Sequence, residues 1–348
     1  MRRELEQYLG SMQQVAYVRP MQLLEGRSAG MKVFDVKNGP MSLQIMADKC
    51  LDVSAFSYKG ININFLSKPG LQGRNHYDTH GEEAVRSIMG GLFFTCGFEN
   101  ICAPCEVKGQ EYPMHGRMRT TPAEHLSSDA SWQGEDYVLS VQGEMREAAL
   151  FGENMVLRRR LETVYGSKSF TVTDEITNES FAPSPLLLLY HINMGFPFLD
   201  ADSRLYVPTT KVVARDKDGE GHEADYDHME PAKDGEAEYV FIHSLKPSPE
   251  GEAFALVVNE KLPLGLRISW NVKNLPYFMQ WKSIASGDYV LGLEPANASV
   301  FGRAFHEKEG SVHYLAPFAT EKNVLTFTLL DTPEEIEEAV AKAKEAAQ

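Results

Sequence analysis

The chain has 348 residues, 43% of them hydrophobic and 24% charged, an ordinary globular composition that excludes disorder, collagen-like repeats and a disulfide scaffold as whole-chain readings. Its 34 Lys+Arg against 49 Asp+Glu leave a net charge of −15. That field repels nucleic acid and anionic membrane alike, and no basic run offers a local exception.

Residues 1–10 (MRRELEQYLG) read as a short helix, with basic residues but no apolar segment behind them, so a secretory signal is not expected. No stretch approaches the roughly 20 apolar residues of a membrane span. The four cysteines, at 50, 96, 102 and 105, fit a reduced, cytoplasmic protein better than two disulfides. From about residue 15 the chain turns to short extended runs bounded by Gly, Asn, Pro or Ser, beginning with KVFDVKNG, SLQIMADKCLDVSAF and GININFLS. Leu43, Ile45 and Ala47, then Leu51, Val53 and Ala55, follow a period of two with one interruption. YVLSVQGEM, MVLRRRLETVYG and SFTVTDEITN alternate strongly, with Leu157, Leu161, Val164, Phe170, Val172 and Ile176 as inward candidates. LLLLYHINMGFP is a short apolar run, and RLYVPT, KVVARD, YVFIHSL, AFALVVNE, LGLRISWNV, YFMQWKS, YVLGLEP and NVLTFTLLD continue as strands. The charged, Gly-rich segment 214–237 reads as a long surface loop within the domain. Residues 332–348 (TPEEIEEAVAKAKEAAQ) read as a charged helix with Thr332 and Glu335 as a capping box.

More than a dozen strands without βαβ alternation exclude Rossmann and TIM-barrel readings. GxGxxG and GxxxxGK[ST] are absent, and no repeat of propeller period is visible. The expectation is a single all-β domain over 1–348, with two large antiparallel sheets packed face to face and helices at 1–10 and 332–348.

Three places join a polar residue to an apolar strand and a turn: GFENICAPCEVKGQEYPMHGRMRTTPAEH with Asn100, His115 and Arg117; LLLLYHINMGFP with His191 and Asn193; and YVLGLEPANASVFGRAF with Glu294 and Arg303. A histidine beside four leucines can equally be a hydrogen-bonded core residue, and His115 a turn residue. A carboxylate ending an apolar strand, as Glu294 does, is costly to bury unless it is paired or placed in a polar cleft. Two imidazoles and a carboxylate drawn from distant segments form an acid/base set able to move a proton from one oxygen to another. Arg117 offers a planar fork of donors, Asn100 and Asn193 offer both donor and acceptor, and Trp281 offers a flat face for stacking. Cys102-Ala-Pro-Cys105 lacks the second ligand pair of a zinc site. His76 and His80, in GRNHYDTHGEE, read as loop or rim residues.

The blocks GLFFTCGFEN, YPMHGRMRTTPAEH, YHINMGFP and LEPANASVFGRAF, in that order, resemble the galactose mutarotase-like (aldose 1-epimerase) superfamily, in its poorly characterised aldose 1-epimerase-like, DUF4432-like branch. The resemblance covers about residues 25–330. It implies a β-supersandwich and an isomerase that interconverts the anomers of a free monosaccharide or sugar derivative, without metal or organic cofactor. On it Glu294 is the general base at the anomeric hydroxyl, His191 the general acid at the ring oxygen, opposed across the sugar, and His115 a hydrogen-bonding stabiliser. Arg117, Asn100, Asn193, Trp281 and Arg303 are expected to bind substrate. The additional Asp of well-studied mutarotases has no clear counterpart among Asp200, Asp202 and the acidic loop at 216–230. A small-molecule sugar is the expected partner, with no nucleic acid, no membrane, and homo-oligomerisation left open. Two other readings stand beside it: a non-catalytic carbohydrate-binding protein, and an isomerase or epimerase of an open-chain or oxidised sugar.

Overall fold

The computed structural model describes residues 2–73 and 80–347. Two antiparallel sheets carry the architecture. The larger has eleven strands, ten of them in the spatial order Tyr17–Gln22, Lys32–Lys37, Met41–Met46, Asp52–Tyr58, Phe93–Phe98, Leu187–Met194, Asp288–Ala296, Tyr277–Ala285, Tyr239–Leu245 and Thr209–Ala214. The smaller has eight, in the order Glu124–Gln133, Asp136–Ala148, Asn154–Val164, Ser169–Asn178, Thr320–Leu330, Leu264–Asn271, Glu252–Asn259 and Ser203–Tyr206. One apolar cluster, with Phe56, Phe93, Leu161, Phe170, Ile192 and Phe327, fills the space between them. This is the expected all-β sandwich.

Alternation explains most of the core. In Ser169–Asn178, Phe170, Val172 and Ile176 point inward, as do Leu157 and Leu161 in Asn154–Val164. Val164 has the opposite parity to Leu161 and is only half-buried; Thr163 takes the inward place. Ala55 is exposed, because the register slips between Gln44 and Ile45 and Ser54 becomes the extra residue of a bulge. The run Leu187–Met194 does not alternate because both its faces are covered. Leu188, Tyr190 and Ile192 enter the inter-sheet core, while Leu187 and Leu189 join a second cluster on the outer face.

Three charged inward positions, Arg159, Asp174 and Asp52, form one network. Arg159 spends all five of its N–H donors inside the core, on both Asp174 oxygens, Asp52 Oδ1, Thr95 Oγ1 and the Cys50 carbonyl, at 2.6–3.0 Å. Tyr190 donates its hydroxyl to Asp174 Oδ2 at 2.7 Å. Burial nevertheless pushes the Asp52 carboxyl up to about 6 against the pull of Arg159. This network ties the two sheets together directly behind the strands that carry Phe94 and His191.

The N-terminal helix covers Arg2–Glu6 and the C-terminal one Pro333–Ala347. Thr332 Oγ1 accepts from the Glu335 N–H at 3.3 Å, but the Glu335 carboxylate bonds the Asp331 N–H and Lys168 instead of closing the capping box. A third helix, Gly302–Glu309, lies within the LEPANASVFGRAF block and its sequel, where none was expected. The segment 215–238 folds against the larger sheet. The fully buried Lys282 holds the Asp225 carbonyl and Glu230, Gln280 holds the Tyr226 carbonyl, and Tyr289 the Glu230 carbonyl.

Candidate functional site

Strand register assembles the site. Leu187–Met194 lies between Phe93–Phe98 and Asp288–Ala296, with His191 opposite Phe94 on one side. On the other, the pairing of Leu189 with Ala296 and of Ile192 with Leu293 sets His191 across from Glu294. Directly opposed side chains on one face of an antiparallel pair are near neighbours. His191 Nε2 lies 3.1 Å from Glu294 Oε1, both side chains more than nine-tenths buried. The imidazole stacks on Phe94 at 4.5 Å and meets the edge of Trp281 at 5.3 Å. Trp281 stands opposite Gly292, whose missing side chain makes the room: a Cβ there would lie 3.0 Å from the Trp281 Cβ and 3.4 Å from His191 Cε1.

Asn193, two residues along the strand, fixes the tautomer. Its amide nitrogen donates to the His191 carbonyl at 2.9 Å, which leaves its Oδ1 to accept from His191 Nδ1 at 2.7 Å. His191 Nδ1 therefore carries a proton, and the proton in the gap to Glu294 is the mobile one. Glu294 is raised above the ordinary carboxylate range, by burial first and with Glu238 adding to it, while His191 and Arg215 pull the other way.

His115 arrives from a tight turn, with φ of 58°. Its own N–H bonds the Cys102 carbonyl at 2.9 Å, and its Nδ1 accepts the Cys102 N–H at 3.2 Å. Burial, then the nearby His191 and Arg119, hold it well below the usual histidine range. A neutral imidazole with Nδ1 accepting keeps its proton on Nε2. The following Gly116 has φ of 67°, and a Cβ on it would sit 2.3 Å from the Gly97 carbonyl, so only glycine permits this turn. The His115 ring lies 5.6 Å from that of His191, edge to face.

The residues expected to bind substrate divide. Trp281 is at the pair, half-buried, with its indole N–H on Glu238 at 2.8 Å. Asn193 orients His191 and is fully buried. Asn100 is committed to loop carbonyls of Ala103 and Pro113 and to the Arg303 N–H. Arg117 pairs with Glu99, and Arg303 bonds the Glu99 carbonyl and lies over Tyr112. These last three form a separate cluster around Glu99. Acid and base also stand side by side, not opposed across an intervening ligand.

The residues that were missed are Phe94, Arg215 and Glu238, which bear on the pair, and Arg119, which bears on His115. Arg215 contacts Glu238 at 3.3 Å and Asp216 at 2.6 Å, so a chain runs from Trp281 through Glu238 to Arg215 along one rim. Arg215 sits at the start of the segment read as a surface loop and Glu238 immediately after its end, which hid them. Asp200 and Asp202 lie in a turn in which Asp200 accepts from Asn259 and the Asp202 N–H. The acid beside the pair is Glu238. His76 lies outside the described residues; His80 is exposed, 3.9 Å from Glu111. Among the described residues, all four thiols are free, and the one ligand-like group, Glu124, His125 and Glu144, is on the other sheet. No helix among them is long and apolar enough to cross a membrane.

Residues 28–329 match a family described as a domain of unknown function, DUF4432. No curated protein matches the sequence. Among solved structures, a candidate aldose 1-epimerase from Klebsiella pneumoniae is similar with a TM-score of 0.89 at 20% identity, over 99% of this chain and 94% of its own. A galactose mutarotase-like protein from Clostridium acetobutylicum follows at 0.64 and 13%, over 92% and 100%. Galactose 1-epimerase from Lactobacillus acidophilus aligns at 0.55 and 12%, over 91% and 99%.

Proposed function

The chain belongs to the DUF4432 family and carries a galactose mutarotase-like fold, and on that footing we propose that it is an aldose 1-epimerase-like isomerase that interconverts the anomers of a free monosaccharide. The observation that carries this reading is the contact between His191 and Glu294, a donor and an acceptor 3.1 Å apart with one mobile proton between them. The two oxygens between which protons are redistributed in anomer interconversion, O1 and O5, are bonded to the same carbon in the ring form and so lie within the span of one hydrogen bond. A side-by-side acid and base can address both at once.

The steps balance within the pair. Ionised Glu294 takes the proton from O1 as the C1–O5 bond breaks and C1 becomes an aldehyde. His191 gives its Nε2 proton to O5. The pair begins as carboxylate and imidazolium and ends as carboxylic acid and imidazole, neutral in sum throughout, so the low-dielectric site never carries an unbalanced charge. Rotation about C1–C2 presents the other face of the aldehyde, and both transfers reverse. Burial makes Glu294 a stronger base than a solvated carboxylate, as general-base chemistry near neutrality favours. The Nε2–H of neutral His115 supplies a hydrogen bond to the oxygen on which charge develops. Trp281 offers its face to the ring, and Glu238 accepts from sugar hydroxyls. Arg215 is already engaged by Glu238 and Asp216, which favours an uncharged sugar over a uronate.

Saturation-transfer NMR or polarimetry across a panel of neutral and acidic aldoses tests this. Faster anomer exchange without deuterium uptake at C2 from D₂O is expected. Deuterium incorporation at C2 would replace this reading with an isomerase acting on the open chain, and no acceleration of any aldose would remove it.

A further inference from the structure

One end of the sandwich carries an apolar surface that a solitary chain has no reason to keep. Phe151, at the tip of the hairpin between Asp136–Ala148 and Asn154–Val164, is 100% exposed, and its neighbour Leu150 is 86% exposed. Phe181 is 89% and Phe318 60% exposed, and their rings touch edge to face at 5.1 Å. Tyr314, nearly half exposed, is paired in register with Pro185, which is close to Phe181 in the chain and in the fold. Phe151 and Phe181 flank a groove of about 700 Å³ whose lining mixes apolar residues, Met155, Ala182, Pro183 and Pro185, with charged ones, Glu99, Glu147, Glu153, Glu179 and Arg303.

Two of these aromatics are held in left-handed backbone, Phe151 at φ of 62° and Phe318 at φ of 58°. That conformation costs a bulky residue about 1–2 kcal/mol and is the natural place for glycine or asparagine. Phenylalanine at both positions strains the backbone in order to present a ring to solvent.

We infer that this end of the sandwich is the interface of a two-fold dimer, in which Phe151 of one copy enters the groove beside Phe181 of the other. The area decides between a stray patch and an interface. Taking ~150–250 Å² for a whole aromatic side chain, the exposed fractions of Phe151, Phe181, Phe318 and Tyr314 come to roughly 450–750 Å² before Leu150 is added, approaching the ~800 Å² that one partner contributes to a stable interface. Solitary chains rarely leave more than a few hundred Å² of contiguous apolar surface open. A ring and a recess on one surface provide both halves of a contact, which is what an isologous pairing requires. With a net charge of −15 on each chain, association must come from such a patch and not from long-range attraction.

Sedimentation equilibrium of the full chain tests this, with far-UV circular dichroism to verify folding. The wild type should sediment at twice the 38.9 kDa chain mass, and Phe151→Asp and Phe181→Asp as folded monomers. Leu24→Asp, at an equally exposed leucine outside the patch, should remain dimeric. Should an Asp variant not fold, Phe151→Asn, which suits the left-handed backbone, carries the test. A monomeric wild type, which would leave the patch to another occupant, overturns the inference. So does a dimer that survives both patch substitutions, or one that Leu24→Asp dissolves.

Discussion

Glu294→Gln keeps the shape of the side chain and removes its basicity. The amide oxygen can still face His191 Nε2 across the 3.1 Å gap, so packing is retained. Stability should hold or rise, since the raised pKa of Glu294 shows that the fold disfavours its charge. Turnover should fall by ~10²–10⁴, the usual worth of one general base and about 3–5 kcal/mol of activation energy. Because the pair passes one proton through the substrate, neither partner works alone. The double variant Glu294→Gln/His191→Asn should therefore cost little more than the worse single one. The pH profile of kcat/KM adds an independent readout: activity is present when Glu294 is ionised and is lost as pH falls through its raised pKa. The acid limb should thus lie above 4.5, the carboxylate's ordinary value. Anomer exchange followed by NMR on purified variants measures all three. Wild-type turnover in Glu294→Gln, single losses that multiply in the double variant, or an acid limb below 4.5 would refute the coupled-pair reasoning.

Gly292→Ala should push Trp281 off its place beside His191, raising KM for the sugar and costing about 1–3 kcal/mol of stability; unchanged kinetics and melting would mean that the indole is not positioned by this gap. Arg159→Met leaves Asp52 and Asp174 buried without their cation and should cost about 3–5 kcal/mol in a urea melt, part of it recovered by adding Asp52→Asn. Glu147 is pushed up to about 8 by burial, with Glu99 adding to it, against 4.5 for the free carboxyl. Between those values the folded chain holds a proton that the unfolded chain has released, so stability declines as pH rises through that window, by at most about 1.4 kcal/mol per pH unit. Glu147→Gln should flatten the decline between pH 5 and 8, and an identical slope in the variant would contradict the assignment.

Most strands were legible because their inward faces alternate, as in Phe170, Val172 and Ile176. The ten-residue strand Glu124–Gln133 was not, because it runs along a sheet edge with nearly every side chain in water and so carries no alternating signal. The helix Gly302–Glu309 was hidden in a block read for its motif and not for its period. At the site, His191, Glu294 and His115 stood out as polar residues in apolar or turn settings. Asn100, Arg117 and Arg303 stood out for the same reason, yet what they satisfy is a loop and the Glu99 carboxylate. Residue type marks a demand for a partner and cannot say which partner meets it. Arg215 and Glu238 gave the opposite error, since charge at the ends of a charged loop looks like solvation until the chain folds back over Trp281.

His191 and Glu294 project from the middle of adjoining strands in the larger sheet, not from a hinged loop. Sliding one strand by a single residue would turn its reactive group to the reverse side, so the separation of the two groups is quantised by the ladder and not adjustable by gentle breathing. Heating should therefore abolish chemistry and tertiary structure at a common midpoint, with no loosened, inactive form populated beforehand.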